Sequence, residues 1–106
     1  MQFRGGMNEL MRQAARMQRK IEQAKDGLKD QELTVEGLGG KVKVVVTLGR
    51  AVKRIDVDKE TLKSEDVDLV FDGVCAAINQ AIEQADKQME AELEKITGGV
   101  KIPGML

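Results

Sequence analysis

Apolar residues in the first third of the chain recur in steps of three and four, which places them on one side of a helix. The stripe consists of Met7, Leu10, Ala14, Met17, Ile21, Ala24 and Leu28. We therefore predict a first helix from about Met7 or Asn8 to Lys29, preceded by a flexible, glycine-containing lead-in over residues 1–6. A heptad-like stripe fits a helix that lies on a sheet and also fits a coiled-coil-like partner, and the spacing does not decide between them.

The middle of the chain changes to an apolar–polar alternation with a period of two, which is typical of strands with one buried face. Three successive runs have this pattern, and glycine-containing turns at residues 37–40 and 49–50 separate them. Their apolar positions are Leu33 and Val35, then Val42, Val44, Val46 and Leu48, and finally Val52, Ile55 and Val57. Because both connections are short, we predict a three-stranded antiparallel meander.

A second long helical pattern runs from Ser64, which suits an N-cap, to the glycine pair at residues 98–99. Roughly 33 helical residues make a rod of roughly 50 Å, whereas a compact domain of this length has a diameter of roughly 35 Å. The rod exceeds its own globule, so we expect a second subunit to cover its end. Residues 58–63 before it are predicted as a polar connection, and residues 100–106 as a mobile C-terminal tail.

Taken together, the elements predict one α+β domain over residues 1–106 with the order α-β-β-β-α.

The chain has no His, Tyr or Trp, and Ser64 and Cys75 are its only serine and cysteine. Histidine-based triads and His/Cys zinc sites are therefore excluded by residue count. We expect no enzyme activity, cofactor, metal or small-molecule substrate. The lack of an apolar run of about 18 residues predicts no membrane span, and the absence of a signal-peptide pattern predicts a cytoplasmic protein.

Two short motifs do not meet the requirements of ligand sites. The acidic run at residues 56–60 has the spacing that opens a calcium loop, but Thr61 and Val67 occupy the positions that need Gly and Glu. The glycines of residues 37–40 lack the following helix and lysine of a phosphate-binding loop. Cys75 lies among apolar residues, and we expect an inert, partly or fully buried thiol.

Basic charge is concentrated near the N-terminus. Residues 1–25 carry six basic and two acidic residues, whereas residues 26–106 carry 11 and 16, so the net charge of −1 conceals a segregation. On the first helix, four basic side chains share a sector of about 100° opposite the apolar stripe: Arg12, Arg16, Arg19 and Lys20. Arg4, on the lead-in, extends the same positive stripe.

Such a basic face is either a solvated helix surface or a docking site for a polyanion. Arginine suits bidentate phosphate contacts, and Glu9 and Glu22 are too few to neutralise the face. A second basic stretch, residues 41–54, can pair with the acidic residues that follow it and carries less weight. Proteins that bind single-stranded nucleic acid stack its bases on aromatic side chains, and this chain has only two aromatic residues. Duplex DNA held through its phosphates therefore fits better.

The chain also resembles a known family along nearly its whole length. The matching residues are Phe3, Gly5, Gly6, Met7, Leu10, Met11, Gln13, Ala14, Met17 and Gln18 at the start; Gly37, Gly40, Val42, Lys43 and Val44 in the hairpin; Ile55, Asp56 and Asp58 after it; Asp66, Val67, Leu69, Ala76, Ala77, Asn79 and Ala81 in the second helix; and Gly98, Gly99, Pro103, Gly104 and Met105 at the end. On these residues the sequence resembles the YbaB/EbfC family of bacterial nucleoid-associated proteins. Lys59 stands where members often have proline, a difference confined to a loop.

The resemblance implies a tweezer-like homodimer that binds double-stranded DNA at the nucleoid and alters its conformation, with roles in nucleoid organisation, gene regulation and DNA protection. It also implies DNA contact by the helices, at the basic residues of the first helix and at Lys87 and Lys95 on the second. The alternative is a dimeric protein-interaction module, an adaptor for DNA-repair or transcription proteins, whose basic face meets an acidic protein surface.

Overall fold

The computed structural model describes residues 2–98, with side-chain surroundings from residue 6 onward, so the predicted tail at residues 100–106 lies outside the described residues. The elements are α1 (Gln2–Leu28), β1 (Glu32–Gly37), β2 (Val42–Thr47), β3 (Val52–Val57), α2 (Lys59–Ser64) and α3 (Val67–Thr97). The predicted α+β architecture, a helix followed by three antiparallel strands and a long helix, is confirmed, with α2 as one short addition.

The sheet is a meander in which β2 pairs antiparallel with both neighbours. The predicted buried face of β2 is confirmed, because Val42, Val44 and Val46 are fully buried against α3. On α3 the facing residues are alanines, namely Ala77, Ala81 and Ala85. Branched valines suit a pleated, buried surface, and the small alanines let the helix approach the sheet closely.

Glycine shapes the connection between β1 and β2, a single turn of 3₁₀ helix over Leu38–Gly40. Gly39 and Gly40 have φ angles of 64° and 90°, a left-handed conformation that glycine adopts at little cost. Gly37, just before the turn, lies close to α3, since a Cβ atom there would meet the Cβ of Ala77 at 3.2 Å. These glycines therefore serve the turn and its packing on α3.

The predicted polar connection after β3 contains the short helix α2. Asp58 caps this helix, because its carboxylate accepts hydrogen bonds from the backbone N–H of Thr61 at 3.1 Å and from the Thr61 hydroxyl at 3.0 Å. Ser64 lies at the end of α2, where its hydroxyl donates to the carbonyl oxygen of Glu60 at 2.8 Å. The prediction of Ser64 as the N-cap of the long helix is therefore wrong.

Two other residues set the ends of α3. The carboxylate of Asp66 accepts a hydrogen bond from the backbone N–H of Asp68 at 2.9 Å and caps the first turn. At the other end Gly98 adopts the left-handed conformation with φ of 66°, and its N–H bonds to the carbonyl of Glu94. The predicted glycine stop is confirmed.

The helix α1 begins earlier than predicted. It starts at Gln2, so residues 2–6, predicted as part of a flexible lead-in, are helical. Glycine in a helix costs about 1 kcal/mol relative to alanine but, unlike proline, removes no hydrogen bond. The pair of glycines at residues 5–6 therefore weakens the helix without ending it.

The two long helices pack along each other and extend beyond the sheet. The apolar stripe of α1 faces α3 rather than the sheet, and Ile21 is buried there, whereas Met7 and Leu10 are 60% and 62% exposed. The protomer measures 76 × 20 × 16 Å. The expectation that a second subunit covers the end of α3 is wrong for Leu93, which is buried within the protomer where α1 packs against α3. We refer to residues 2–20 of α1 as the arm and to the rest of the described chain as the body.

Candidate nucleic-acid interface

The basic residues predicted on the first helix lie on the exposed surface of the arm. They are Arg12, Arg16, Arg19 and Lys20. Their Cα atoms span about 12 Å along the helix axis, and they point away from the side on which Ile21 is buried. The arm therefore presents a row of cations to solvent, which we call the basic face.

Acidic neighbours leave most of the basic face unneutralised. Nη1 of Arg12 lies 3.7 Å from Oε2 of Glu9, and both side chains are exposed, so the pair contributes at most about 1 kcal/mol. Among residues 6–98, no carboxylate oxygen lies within 4.0 Å of the cationic groups of Arg16, Arg19 or Lys20. A phosphate can approach these three side chains without displacing a protein partner.

Arg4 is also part of α1. At 100° per residue it lies about 80° around the helix from Arg12, and its side chain falls outside the described surroundings. Its contribution to the basic face stays a prediction.

The two lysines predicted on the second helix have different surroundings. Nζ of Lys87 lies 3.3 Å from Oε1 of Glu83, and Nζ of Lys95 lies 3.1 Å from Oε1 of Glu92. Residues 83–97 contain five acidic residues and two lysines. These lysines therefore reach a phosphate only by exchanging a carboxylate partner, within a stretch that is net negative.

The second basic stretch of the sequence, residues 41–54, is largely compensated. The Lys43 Nζ lies 4.0 Å from a carboxylate oxygen of Glu36, which is the cross-strand neighbour on β1. Two further ion pairs join Arg50 to Asp86 at 3.4 Å and Arg54 to Asp56 at 2.8 Å. These three paired cations are therefore less available to an anion than the unpaired cations of the arm are.

A cleft of about 460 Å³ separates α1 from α3 in the body. Its polar rim consists of Lys25, Asp86, Glu90 and Glu94, and its apolar wall includes Leu93. Three carboxylates against one ammonium group make the rim net negative, so the cleft does not suit a phosphate or another anion.

The acidic run at residues 56–60 serves structural roles. Asp56 pairs with Arg54, and the hydrogen bonds from Thr61 lower the pKa of the Asp58 carboxyl group. Across residues 2–98, no group of three His, Cys, Asp or Glu side chains comes together as metal ligands. None of the helices in that part of the chain has the length and apolar character that a membrane span requires.

The thiol of Cys75 is exposed, so the prediction of a partly or fully buried side chain is wrong. At 100° per residue, Cys75 lies about 160° around α3 from Ala77, which is buried against the sheet. Its apolar neighbours in the sequence therefore lie on other sides of the helix. Sequence reasoning also missed the exposure of Phe71 and Ile55, because it depends on which strands α3 covers.

Comparisons with known proteins agree with a nucleic-acid interface. The model of the YbaB/EbfC DNA-binding family matches residues 3–100, a range that includes the whole basic face. The chain is 38% identical over 104 residues to a nucleoid-associated protein of Acetivibrio thermocellus, which covers 97% of this chain and 92% of that protein. A nucleoid-associated protein of Ruminiclostridium cellulolyticum is 36% identical over 104 residues, which is 97% of this chain and 90% of that protein.

A solved structure shows the same fold. The crystal structure of the uncharacterized protein HP0035 from Helicobacter pylori superimposes with a TM-score of 0.71 over 86% of this chain and 96% of that chain. At 18% sequence identity, this similarity supports the α-β-β-β-α architecture alone.

Proposed function

Because the chain belongs to the YbaB/EbfC DNA-binding family, we propose that it is a nucleoid-associated protein that binds duplex DNA along the basic face of the arm. The observation that supports this site is that Arg16, Arg19 and Lys20 are exposed and have no acidic partner among residues 6–98. Cations in this state gain from phosphate contacts, because each contact releases condensed counterions from the DNA. Contacts to the backbone position a protein on DNA without reading its sequence.

The described surface favours a duplex over a single strand. Single-strand binding relies on aromatic side chains on which bases stack, and the chain has no Trp or Tyr and two Phe. A helix with its side chains is about 10–12 Å across, and the major groove of B-DNA is about 12 Å wide. The arm is therefore a suitable size to lie along or within the groove.

We assign the primary contacts to the arm and secondary contacts to α3. Primary contacts come from Arg4, Arg12, Arg16, Arg19 and Lys20. Lys87 and Lys95 contribute when the duplex lies close to α3, since exposed ion pairs such as theirs exchange at low cost. We therefore expect their substitution to weaken binding less than substitution on the arm.

The functional unit in this proposal is a homodimer with two arms, shaped like tweezers. A dimer of protomers that are each 76 Å long contacts a duplex at two separated places, and such contacts bend or bridge DNA. This activity accounts for roles in nucleoid organisation, gene regulation and DNA protection. We place the protein in the cytoplasm, at the nucleoid, and its relatives are named nucleoid-associated proteins.

A protein-interaction module is the second candidate function. The observation in its favour is the apolar side of the arm, where Met7, Leu10 and Met11 are all exposed. A partner from the DNA-repair or transcription machinery that binds a helix would cover these side chains. This function predicts a protein partner that stays bound after nuclease treatment.

A salt titration with a matched charge-reversal pair tests DNA binding. We expect the affinity for a mixed-sequence duplex to fall with salt, with a log–log slope of about −0.9 for each phosphate contact. In Arg16→Glu/Arg19→Glu the affinity should fall at least about 100-fold at low salt, and the slope should lose about two units per engaged protomer. Binding is measured by fluorescence anisotropy at several salt concentrations.

The control is Lys41→Glu/Lys59→Glu, which changes the net charge by the same amount at exposed positions of the body. It should bind DNA within about threefold of the wild type, because these lysines lie outside the basic face. A flat salt dependence of the wild type would contradict DNA binding altogether. Equal losses in the two variants would show that net charge matters and the arm does not.

A further inference from the structure

The arm is a helix with little tertiary support. Of residues 6–20, only Ala15 and Met17 are half-buried, and the others are exposed. The first buried side chain of α1 in the described part of the chain is that of Ile21, beyond the arm. Most helices in proteins are stabilised by packing of an apolar side, and isolated helices shorter than about 12–15 residues are marginal in water. The helix of the arm therefore depends on its own sequence.

The start of α1 contributes little to that stability. Residues 5 and 6 are both glycine, and glycine has the lowest helix propensity apart from proline. A Cβ atom at Gly6 would meet nothing within 4 Å, so no close contact requires glycine at this position. The first turn of α1 also has no acidic residue, although a carboxylate there would interact favourably with the helix dipole. The arm is therefore a weak helix at its free end.

Like charges on the basic face weaken the helix further. Arg16 lies four residues from both Arg12 and Lys20, and three residues from Arg19. Side chains at these spacings are neighbours on a helix, and like-charged pairs there destabilise it. The ion pair of Arg12 with Glu9, at 3.7 Å, is exposed and offsets little of this repulsion. The helical arm therefore brings together cations that a less ordered chain keeps apart.

A duplex reverses this balance. Phosphates that contact the basic face neutralise the repulsion between its cations, and the helix is the conformation that aligns these cations on one side. A ligand that binds one of two conformations more tightly shifts the equilibrium towards that conformation.

We propose that the arm is only partly helical in the free protein and that its helix is completed on duplex DNA. The proposal rests on the proposed function, DNA binding along the basic face, and the fully helical arm is the form that binds. The measured affinity is then lower than that of the helical form, in proportion to the fraction of arms that are helical before binding.

Gly6→Ala tests this coupling with a matched control. Alanine raises the helical fraction of the arm through its higher propensity, so Gly6→Ala should bind a mixed-sequence duplex about two- to fivefold more tightly for each engaged arm. Gly27→Ala makes the same change where an added Cβ is also free of contacts. Gly27 lies between the buried Ile21 and the partly buried Leu28, where α1 is already packed. The affinity of this control should stay within about 1.5-fold of the wild type.

Arg16→Glu separates helix formation from binding. The new carboxylate lies four residues from both Arg12 and Lys20, so two repulsions become attractions. Amide hydrogen exchange over residues 7–16 of the free protein should therefore slow by about threefold or more relative to the wild type. The DNA affinity of the same variant should fall by about tenfold or more, because phosphate contacts are lost. A side chain that only maintained the shape of the arm would change both quantities in the same direction.

Hydrogen exchange of the wild type gives the direct readout. In the free protein, amides of residues 7–16 should exchange at least about 100-fold faster than those of residues 77–85, and saturating duplex should slow them by about tenfold or more. An arm that is as protected as residues 77–85 without DNA, with equal affinities of the two alanine variants, would overturn the coupling and leave the basic face as the DNA site. A wild type without affinity for duplex would overturn the proposed function and this inference with it.

Discussion

In the arm, Leu10 is 62% exposed and Arg16 has no acidic partner among the described residues, whereas in the body Val44 is fully buried and Arg54 is held by Asp56 at 2.8 Å. Leu10 and Val44 are both aliphatic, and Arg16 and Arg54 are both cationic, but the body satisfies its two residues internally and the arm does not. Interactions satisfied internally stabilise the fold. Those left open in the arm are available to DNA or to a protein.

This difference between the body and the arm predicts that the free energy of unfolding and the DNA affinity respond to different substitutions. Val44→Ala removes two buried carbons from the centre of the sheet and leaves a cavity, which should lower the free energy of unfolding by about 2–3 kcal/mol. Leu10→Ala removes exposed atoms and should change it by less than about 0.5 kcal/mol. Urea denaturation measures both.

DNA affinity is a second measurement that separates stability from binding. The Val44→Ala protein, at temperatures where it stays folded, should bind a duplex as the wild type does, since Val44 is remote from the basic face. If Leu10→Ala lowered stability as much as Val44→Ala did, the arm would be packed in solution and the contrast between the regions would be lost.

Local sequence patterns predicted the parts of the molecule that depend on few neighbours. The period-two valines of β2 were correctly predicted to be buried, because every second residue of a strand shares a face. The exposure of Arg12, Arg16 and Arg19 followed in the same way from the helical period of the arm. Gly98 was correctly predicted as the stop of α3, since a left-handed C-cap favours glycine.

The errors concern choices that depend on tertiary contacts. Ser64 and Asp66 are both good N-cap residues, and the separate helix α2, capped by Asp58, decides that Asp66 caps α3. The exposure of Cys75 depends on α3 lying over β1 and β2 rather than over β3. At the candidate site, the sequence of α3 allows several carboxylate partners for Lys87. The structure shows that Lys87 pairs with Glu83.

Two glycines test the junction between the C-terminal end of α1 and the sheet. The N–H of Gly49 donates to the carbonyl of Lys29 at 2.9 Å, and a Cβ atom at Gly49 would lie 2.9 Å from that same oxygen. Gly49→Ala should therefore push the end of α1 away from the β2–β3 turn and lower the free energy of unfolding by about 1–3 kcal/mol. Thermal or urea denaturation gives the value.

Gly27→Ala is the matched control for this substitution. A Cβ atom at Gly27 meets nothing within 4 Å, so alanine there should stabilise α1 by about 0.5–1 kcal/mol through its higher helix propensity. Opposite signs for the two substitutions would show that the junction depends on close backbone contact. A destabilised Gly27→Ala protein would mean that α1 has a neighbour in solution that this protomer does not show.

The smallest expected effect lies in the pH dependence of the body. The hydrogen bonds from Thr61 hold the pKa of the Asp58 carboxyl below its ordinary value of 3.8. A carboxyl whose pKa is lower in the folded state adds stability above the unfolded-state pKa, and this stability is lost as the pH falls through the folded-state pKa. Asp58→Ala should therefore be less stable than the wild type at neutral pH, and the difference should shrink as the pH falls below about 4. Urea denaturation at several pH values measures the difference. A difference that stays constant down to about pH 2 would mean that packing at Asp58, rather than its charged cap of α2, stabilises the body.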